Sequence, residues 1–426
     1  MCGRAARRPR APGASACPQG GGGGPLRAGT RVRAGAERPV STAARTAPRT
    51  APDVRPVAEL CVDEDEFDAL AEPWGRLHRS CAAATPFQSH AWVSSWWQSY
   101  GSPGRLRVLL VRDGARLIAA APLMRVDRPL PALKPLGGAI SDFTDVLVDD
   151  ACKEEGTEAL LSGLYALART ALIDFGEVRP GACVEGLYAR WPGPRRTLAG
   201  SACLELPALP MEGLLKRLPT PRAQRTRAKM RKLSALGVES RVVPADEVEN
   251  SVRTLLRLHQ LQWQGRKVTS EHLQPRFHEH LLRSMRPMVA AGEAVVTEFS
   301  LDGEVMAADL TLLSGTLAGG YLYGAHPRLR ERKVDVATML LDACTRHTGG
   351  EHPRALSLLR GNEPYKHHWR PEPVTNQRLL LARRRTAPLV CAVAWGASGR
   401  QWAKRRLRER EERRGEGPGR GGGAST

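Results

Sequence analysis

Two Asp-Gly dipeptides, Asp113-Gly114 and Asp302-Gly303, each interrupt a run of apolar and β-branched residues. An Asp-Gly pair supplies the positive φ of a two-residue turn, so each commits its flanks to antiparallel strands. The first hairpin is expected over 106–111 and 116–124, the second over 295–301 and 305–313. Ser314-Gly315 then turns the second hairpin into a third strand at 317–324, a meander.

Helical spacing frames both hairpins. Before the first, Leu70, Trp74 and Leu77 share one face, and Phe87, Trp92 and Trp96 another, which Gly101 ends. Three tryptophans at 92, 96 and 97 suggest either a stacking platform or an aromatic core helix, and core packing is the default. After the first hairpin come a strand at 141–148, a helix at 154–170 and strands at 171–178 and 202–206. Around the second, helices are expected at 247–263, 277–291 and 334–347, then a strand at 356–361, a helical piece at 365–369 and a last strand at 376–383. The same order of elements thus occurs twice. The expected fold is α/β (α+β), two tandem units of mixed, mostly antiparallel sheet flanked by helices.

The boundaries follow composition. Residues 1–57 are Arg, Ala, Pro and Gly with almost nothing large to bury, an expected disordered tail. The units are assigned to 58–210 and 238–385, a bridging helix to 211–237 and a second basic, disordered tail to 386–426. The net charge of +20 sits mostly in the tails, +9 in 1–57 and +8 in 382–426, leaving +3 for the middle. Overall charge is therefore a poor argument for a nucleic-acid partner. The bridging helix is a better one. Between Thr220, expected as N-cap with Pro221 at the first turn, and Gly237, it carries Arg222, Arg225, Arg227, Lys229, Arg231 and Lys232 with no carboxylate. That composition suits contact with phosphates, of a donor molecule or of an RNA such as tRNA.

Nine scattered cysteines without a C-x-x-C pair argue against a zinc site or other metal and for reduced thiols in the cytoplasm. No arginine-flanked apolar stretch reads as a secretory signal, and no run reaches the roughly 20 apolar residues of a membrane span. Residues 387–397 form the longest late apolar stretch, expected to be a buried or loosely held terminal segment.

Chemistry concentrates where the strand at 356–361 ends. Gly361-Asn362-Glu363-Pro364-Tyr365-Lys366-His367-His368-Trp369 packs a carboxylate, a phenol, an amine, two imidazoles and an indole into a loop. Asp309 stands alone in an apolar strand, aimed into a cleft or paired with a cation. Lys366 has Glu363 within pairing range or a carboxylated substrate as partner. His259 reads as a core histidine before a catalytic one.

Together these features resemble the GNAT acyltransferases, and among them the acetyltransferase-like proteins grouped with cellulose-biosynthesis accessory proteins of the CelD type, related to the FemAB-type transferases. The resemblance is carried by Phe87-Gln88 with Trp92 and Trp97, Ala121-Pro122-Leu123, Leu236-Gly237, Leu258-His259 with Trp263, Asp302-Gly303 through Ala308, Tyr323-Gly324 with Pro327, and Gly361 to Lys366 with Trp369. It implies N-acyl transfer from acetyl-CoA or another acyl-CoA to an amine of a small molecule or cell-envelope precursor. An aminoacyl-tRNA-dependent transferase and a nonenzymatic nucleic-acid-binding protein are the alternatives.

One motif departs from the family. Where GNAT enzymes carry a glycine-containing loop against the donor pyrophosphate, residues 328–337 hold no glycine, and charge on Arg328, Arg330, Arg332 and Lys333 stands in for close backbone approach. The expected donor-binding residues are Arg330, Arg332, Lys333 and Tyr323, and the expected acceptor-binding residues Lys366, Trp369 and His259. Amide formation from a thioester needs a base for the amine proton and an acid for the leaving thiolate. Tyr365 is the expected acid, with Glu363 and Asp309 as candidate bases.

Overall fold

The computed structural model describes residues 56–264, 269–349, 354–361 and 363–397, with 399 and 406. The tail expected over 1–57 therefore lies almost wholly outside the described residues, as do Asn362 and most of 398–426.

The first half runs β1 (Ala58–Cys61), α1 (Glu64–Asp68), α2 (Ala71–Ser80), α3 (His90–Tyr100), β2 (Leu106–Asp113), β3 (Arg116–Val126), β4 (Ala132–Pro135), β5 (Leu147–Val148), α4 (Lys153–Leu167), β6 (Leu172–Val178), α5 (Cys183–Arg190) and β7 (Arg195–Leu206). α6 (Met211–Lys216) and α7 (Thr220–Ala235) lead into the second, β8 (Glu239–Val242), α8 (Val248–Trp263), α9 (Pro275–Ala290), β9 (Ala294–Leu301), β10 (Glu304–Leu313), β11 (Leu317–Ala325), α10 (Pro327–Glu331), α11 (Val336–Thr345), β12 (Ala355–Arg360) and β13 (Glu372–Leu381). Both Asp-Gly turns are hairpins. Gly114 and Gly303 have φ of 56° and 78°, and the register brings Leu109 opposite Ala121 and Leu310 opposite Val296.

All thirteen strands join one sheet in the order β1-β2-β3-β4-β6-β13-β7-β12-β11-β10-β9-β8, with β5 added against β3. Only β4–β6 and β11–β12 are parallel. The last strand, β13, crosses back between β6 and β7 and pairs with both. β7 then pairs with β12, so the two halves share a continuous ladder.

They also share a core. Ser89 caps α3 and turns Trp92, Trp96 and Trp97 inward, all three buried. The Trp92 ring meets His280 of α9 edge-on at 4.4 Å and Tyr321 of β11 at 5.2 Å. The tryptophans are core, as their helical spacing implies, and no stacking platform is present at that helix.

Local departures have local causes. The strand expected over 141–148 keeps only its last two residues. Ser141, Asp142, Thr144 and Asp145 compete with a ladder for the backbone, and the buried Asp145 carboxylate accepts the N–H groups of Cys183 and Val184 at 2.8 Å each, fixing the start of α5. That helix, in a Pro/Gly-rich stretch, is invisible to periodicity. α7 begins a residue earlier than expected, with Pro219 as N-cap and no side-chain cap bond from Thr220. Residues 387–397, assigned to the tail from sequence, are helical, with Val390 and Ala394 buried; Val390 packs against Ala132, Leu172 and Leu380.

Candidate active site

β11 and β12 run parallel only over Leu317–Gly319 and Ala355–Ser357, and then part. Leu359 bends the chain at φ 57°, its side chain filling the space over Gly319, where a Cβ would lie 2.9 Å from Leu359 Cδ2. β12 stays with β7 on its other side, pairing Leu356 with Leu206, Ser357 with Glu205 and, beyond the bend, Arg360 with Cys203. From the far half of β11, Tyr323 and Ala325 line a cleft with residues of α11 and the 366–369 turn, while Tyr321 packs in the core against Trp92.

The cleft has two lobes that share Tyr323 and Tyr365. One is apolar, about 640 Å³ counting its open mouth, walled by Leu340, Leu341, Leu356 and Trp369 with Asp309 at its floor. The other is polar, bounded by Lys229, Gln262, His326, Arg330, Lys333 and the start of α11.

Asp309 is almost completely buried, and burial pushes its carboxyl up to about 6. Its Oδ2 accepts a hydrogen bond from the Thr311 hydroxyl at 2.8 Å and faces the Cys344 thiol at 3.6 Å. Thr311 and Cys344 lie 3.2 Å apart, and burial raises the thiol well above its usual range. Sequence reasoning finds Asp309 as the one charge in its strand. It misses Cys344, which is one apolar residue among many in a helix until the fold brings it to the carboxylate.

Gly361 has φ 118°, and a Cβ there would meet the Glu363 carboxylate at 2.5 Å. This glycine lets the loop fold back so that Lys366, itself buried, donates to the Glu363 carboxylate at 2.8 Å and to the Arg360 carbonyl at 3.0 Å. Glu363 is therefore a partner of Lys366 on an exposed loop. Tyr365 is half exposed at the seam of the two lobes. Burial first, then Glu363 and Tyr323, raises its pKa above the ordinary phenol value, so it holds its proton throughout the physiological range. Trp369 is buried and packs with Leu206, Met211 and Leu356.

His259 lies beneath the cleft. Its Nδ1 is 2.7 Å from the Tyr323 carbonyl oxygen, and burial lowers its pKa. α8 approaches β11 so closely at this point that a Cβ on Gly324 would sit 2.4 Å from the His259 nitrogen. The histidine thus belongs to the support of Tyr323.

The cationic residues divide. Arg330 and Lys333 border the polar lobe, whereas Arg332 pairs with Asp302 at 3.2 Å and Arg328 with Glu304 at 3.1 Å, on the turn at the end of the β9–β10 hairpin. α7 contributes Lys229, which pairs with Asp335. Asp335 caps α11, accepting from Thr338 N at 3.1 Å, so a carboxylate already occupies part of that helix's N-terminal anion site.

The first half buttresses the loop. Arg360 binds the Asp142 carboxylate and the Ala139 carbonyl, the latter at 2.6 Å, with Glu177 at 4.0 Å. Asn376 of β13 donates to Glu177 at 3.0 Å and to the Asp142 carbonyl at 3.2 Å. Among the described residues no group of three or more His, Cys, Asp or Glu could hold a metal ion, and no helix is long and apolar enough to cross a membrane.

Residues 221–367 match a family model described as an acetyltransferase (GNAT) domain. Among solved structures, a conserved protein of unknown function from Bacteroides thetaiotaomicron VPI-5482 is similar at TM-score 0.51 and 12% identity, over 77% of this chain and 100% of its own. FemX is similar at TM-score 0.51 and 10% identity, over 78% of this chain and 99% of its own. At such identities the likeness is one of fold. No curated protein matches the sequence. Apart from Trp369, the residues that line the two lobes fall within the stretch that resembles an acetyltransferase (GNAT) domain, in a chain of mixed α/β fold.

Proposed function

We propose that the chain is an N-acyltransferase, with an acetyl or other acyl thioester of coenzyme A as donor and an amine of a small molecule or cell-envelope precursor as acceptor. The observation that carries this reading is the parting of β11 from β12 beside a cleft in which two phenols, Tyr323 and Tyr365, lie at the seam between a basic lobe and an apolar lobe.

Arg330 and Lys333 suit the donor phosphates by charge, and Lys229 from α7 stands beside them, paired with Asp335. The cost of a carboxylate at the helix start is offset by Lys229 on Asp335. Arg332, committed to Asp302, is left out of this assignment. The acyl end then lies toward Tyr323 and Tyr365. A phenol that keeps its proton serves as the acid for a departing thiolate, and Tyr365 takes that role. Glu363, held by Lys366, and Asp309 remain the carboxylates from which a base is drawn, Glu363 at the mouth and Asp309 at the floor.

Within this proposal the halves at 58–210 and 238–385 are two GNAT-like units bridged by 211–237, the chain falls with the CelD-like group, and the site of action is the cytoplasm. A second reading, an aminoacyl-tRNA donor, is favoured by α7, whose basic residues border the polar lobe through Lys229. Turnover of acetyl-CoA with an amine panel, run beside aminoacyl-tRNA, separates the two. Tyr365→Phe is expected to lower turnover by roughly 10²–10⁴-fold with donor affinity and melting temperature nearly unchanged. Equal losses of stability and activity would make Tyr365 structural, and full activity would remove it from the chemistry.

A further inference from the structure

The floor of the apolar lobe holds a charge that its surroundings do not explain. Asp309 is 3% exposed, and both groups that touch its carboxylate, the Thr311 hydroxyl and the Cys344 thiol, are neutral. Asparagine would meet the same two donors without the penalty of a buried anion. Among the described residues Asp309 makes no ion pair. Lys366, the one basic side chain that lines this lobe, is taken by Glu363 and the Arg360 carbonyl. Desolvation outweighs both hydrogen bonds in raising the Asp309 carboxyl to about 6, and its carboxylate form has no partner charge among the described residues.

The walls describe what would supply that charge. Leu340, Leu341 and Leu356 give a sleeve wide enough for a short hydrocarbon stem, and Tyr323, Tyr365 and Trp369 present aromatic surface that tolerates a passing cation. Thr311 and Cys344 lie to one side of the carboxylate, engaging Oδ2.

We propose that the apolar lobe is a binding site for a primary ammonium group on a short apolar stem, with the Asp309 carboxylate as its counter-ion. The site rests on the acyltransfer reading only for its purpose. The ammonium belongs either to the amine acceptor or to a transferred acyl group that itself bears an amine.

The test begins with the unaltered protein. Binding of n-butylammonium at pH 7.5 is compared with binding of n-butanol, which has the same stem and no charge, by ligand-observed NMR. The ammonium is expected to bind at least ten-fold more tightly, and Asp309→Asn to abolish that preference while leaving n-butanol unchanged and the melting temperature equal or higher. Equal affinities for the two probes in the unaltered protein overturn the proposal, whatever the variant does. So does a folded Asp309→Asn that keeps the preference. Two thioesters then identify the source. Displacement of n-butylammonium by glycyl-pantetheine but not by acetyl-pantetheine places the ammonium on the transferred group, and its acylation by acetyl-pantetheine places it on the acceptor. An ammonium preference without any transfer from a coenzyme A thioester keeps the site and refutes only the donor.

Discussion

Arg360 offers the most direct test of how the first half holds the loop at 361–369. Its guanidinium is bound by Asp142 and the Ala139 carbonyl, and the side chains of the pair are only 26% and 12% exposed. Arg360→Met keeps the stem and removes the charge, stranding a carboxylate. Breaking a buried pair from one side costs about 3–5 kcal/mol, and the partial exposure of Arg360 places this case near the lower end, about 3 kcal/mol. Adding Asp142→Asn removes the stranded charge and should restore about 2 kcal/mol of it.

The pH dependence has a definite sign. Burial holds the Asp142 pKa above its ordinary value against the pull of Arg360, and losing Arg360 raises it further. The folded state then binds the proton more tightly than the unfolded state, whose carboxyl titrates at about 4. The share of the deficit that comes from the stranded carboxylate is therefore absent below that value and grows as pH rises between the unfolded and the folded pKa, while the loss of the bond to the Ala139 carbonyl does not vary with pH. Urea unfolding followed by the fluorescence of the buried tryptophans measures both effects. A loss under about 1 kcal/mol, or no recovery in the double variant, would refute the assignment of Arg360 as the strut of the loop.

Two further outcomes follow from the same geometry. Gly361→Ala forces a side chain to φ 118° and into the Glu363 carboxylate, and should destabilise by more than about 1 kcal/mol in thermal unfolding. It should also loosen the Lys366 ion pair, read as faster amide exchange at Tyr365 and Lys366. Arg330→Gln with Lys333→Gln should weaken coenzyme A binding and flatten its salt dependence in calorimetry, with Arg332→Gln as the neutral control. Equal effects from all three would restore Arg332 to the site.

Much of this fold was legible because its signals are short-range. Asp-Gly turns fix hairpins, and the spacing of Leu70, Trp74 and Leu77 or of Trp92 and Trp96 fixes buried helix faces, whatever lies elsewhere in the chain. The Lys366–Glu363 pair was legible for the same reason, being three residues apart. What failed to show depends on distant partners. α5 takes its anchor from Asp145, the loop at 141–146 is hydrogen-bonded to α3, α5, β6, β12 and β13, and Cys344 meets Asp309 only once α11 is laid on β10 and β11. The pairing of Arg332 was hidden for a similar reason, since a run of basic residues does not disclose which of them will meet a turn carboxylate such as Asp302.

The position of β13 bears on how the protein is made. This strand lies between β6 and β7, yet it is the last of the thirteen to leave the ribosome. Until it arrives, β6 and β7 face one another across a vacant strand position, each with an unpaired edge able to template association with another chain. The first half therefore cannot close its sheet during synthesis, though nearly all of its own residues have emerged. A nonsense mutation after Leu206 and before Glu372 would leave that gap permanently open, so such truncated products are candidates for chaperone capture and aggregation, even those that encode the cleft in full.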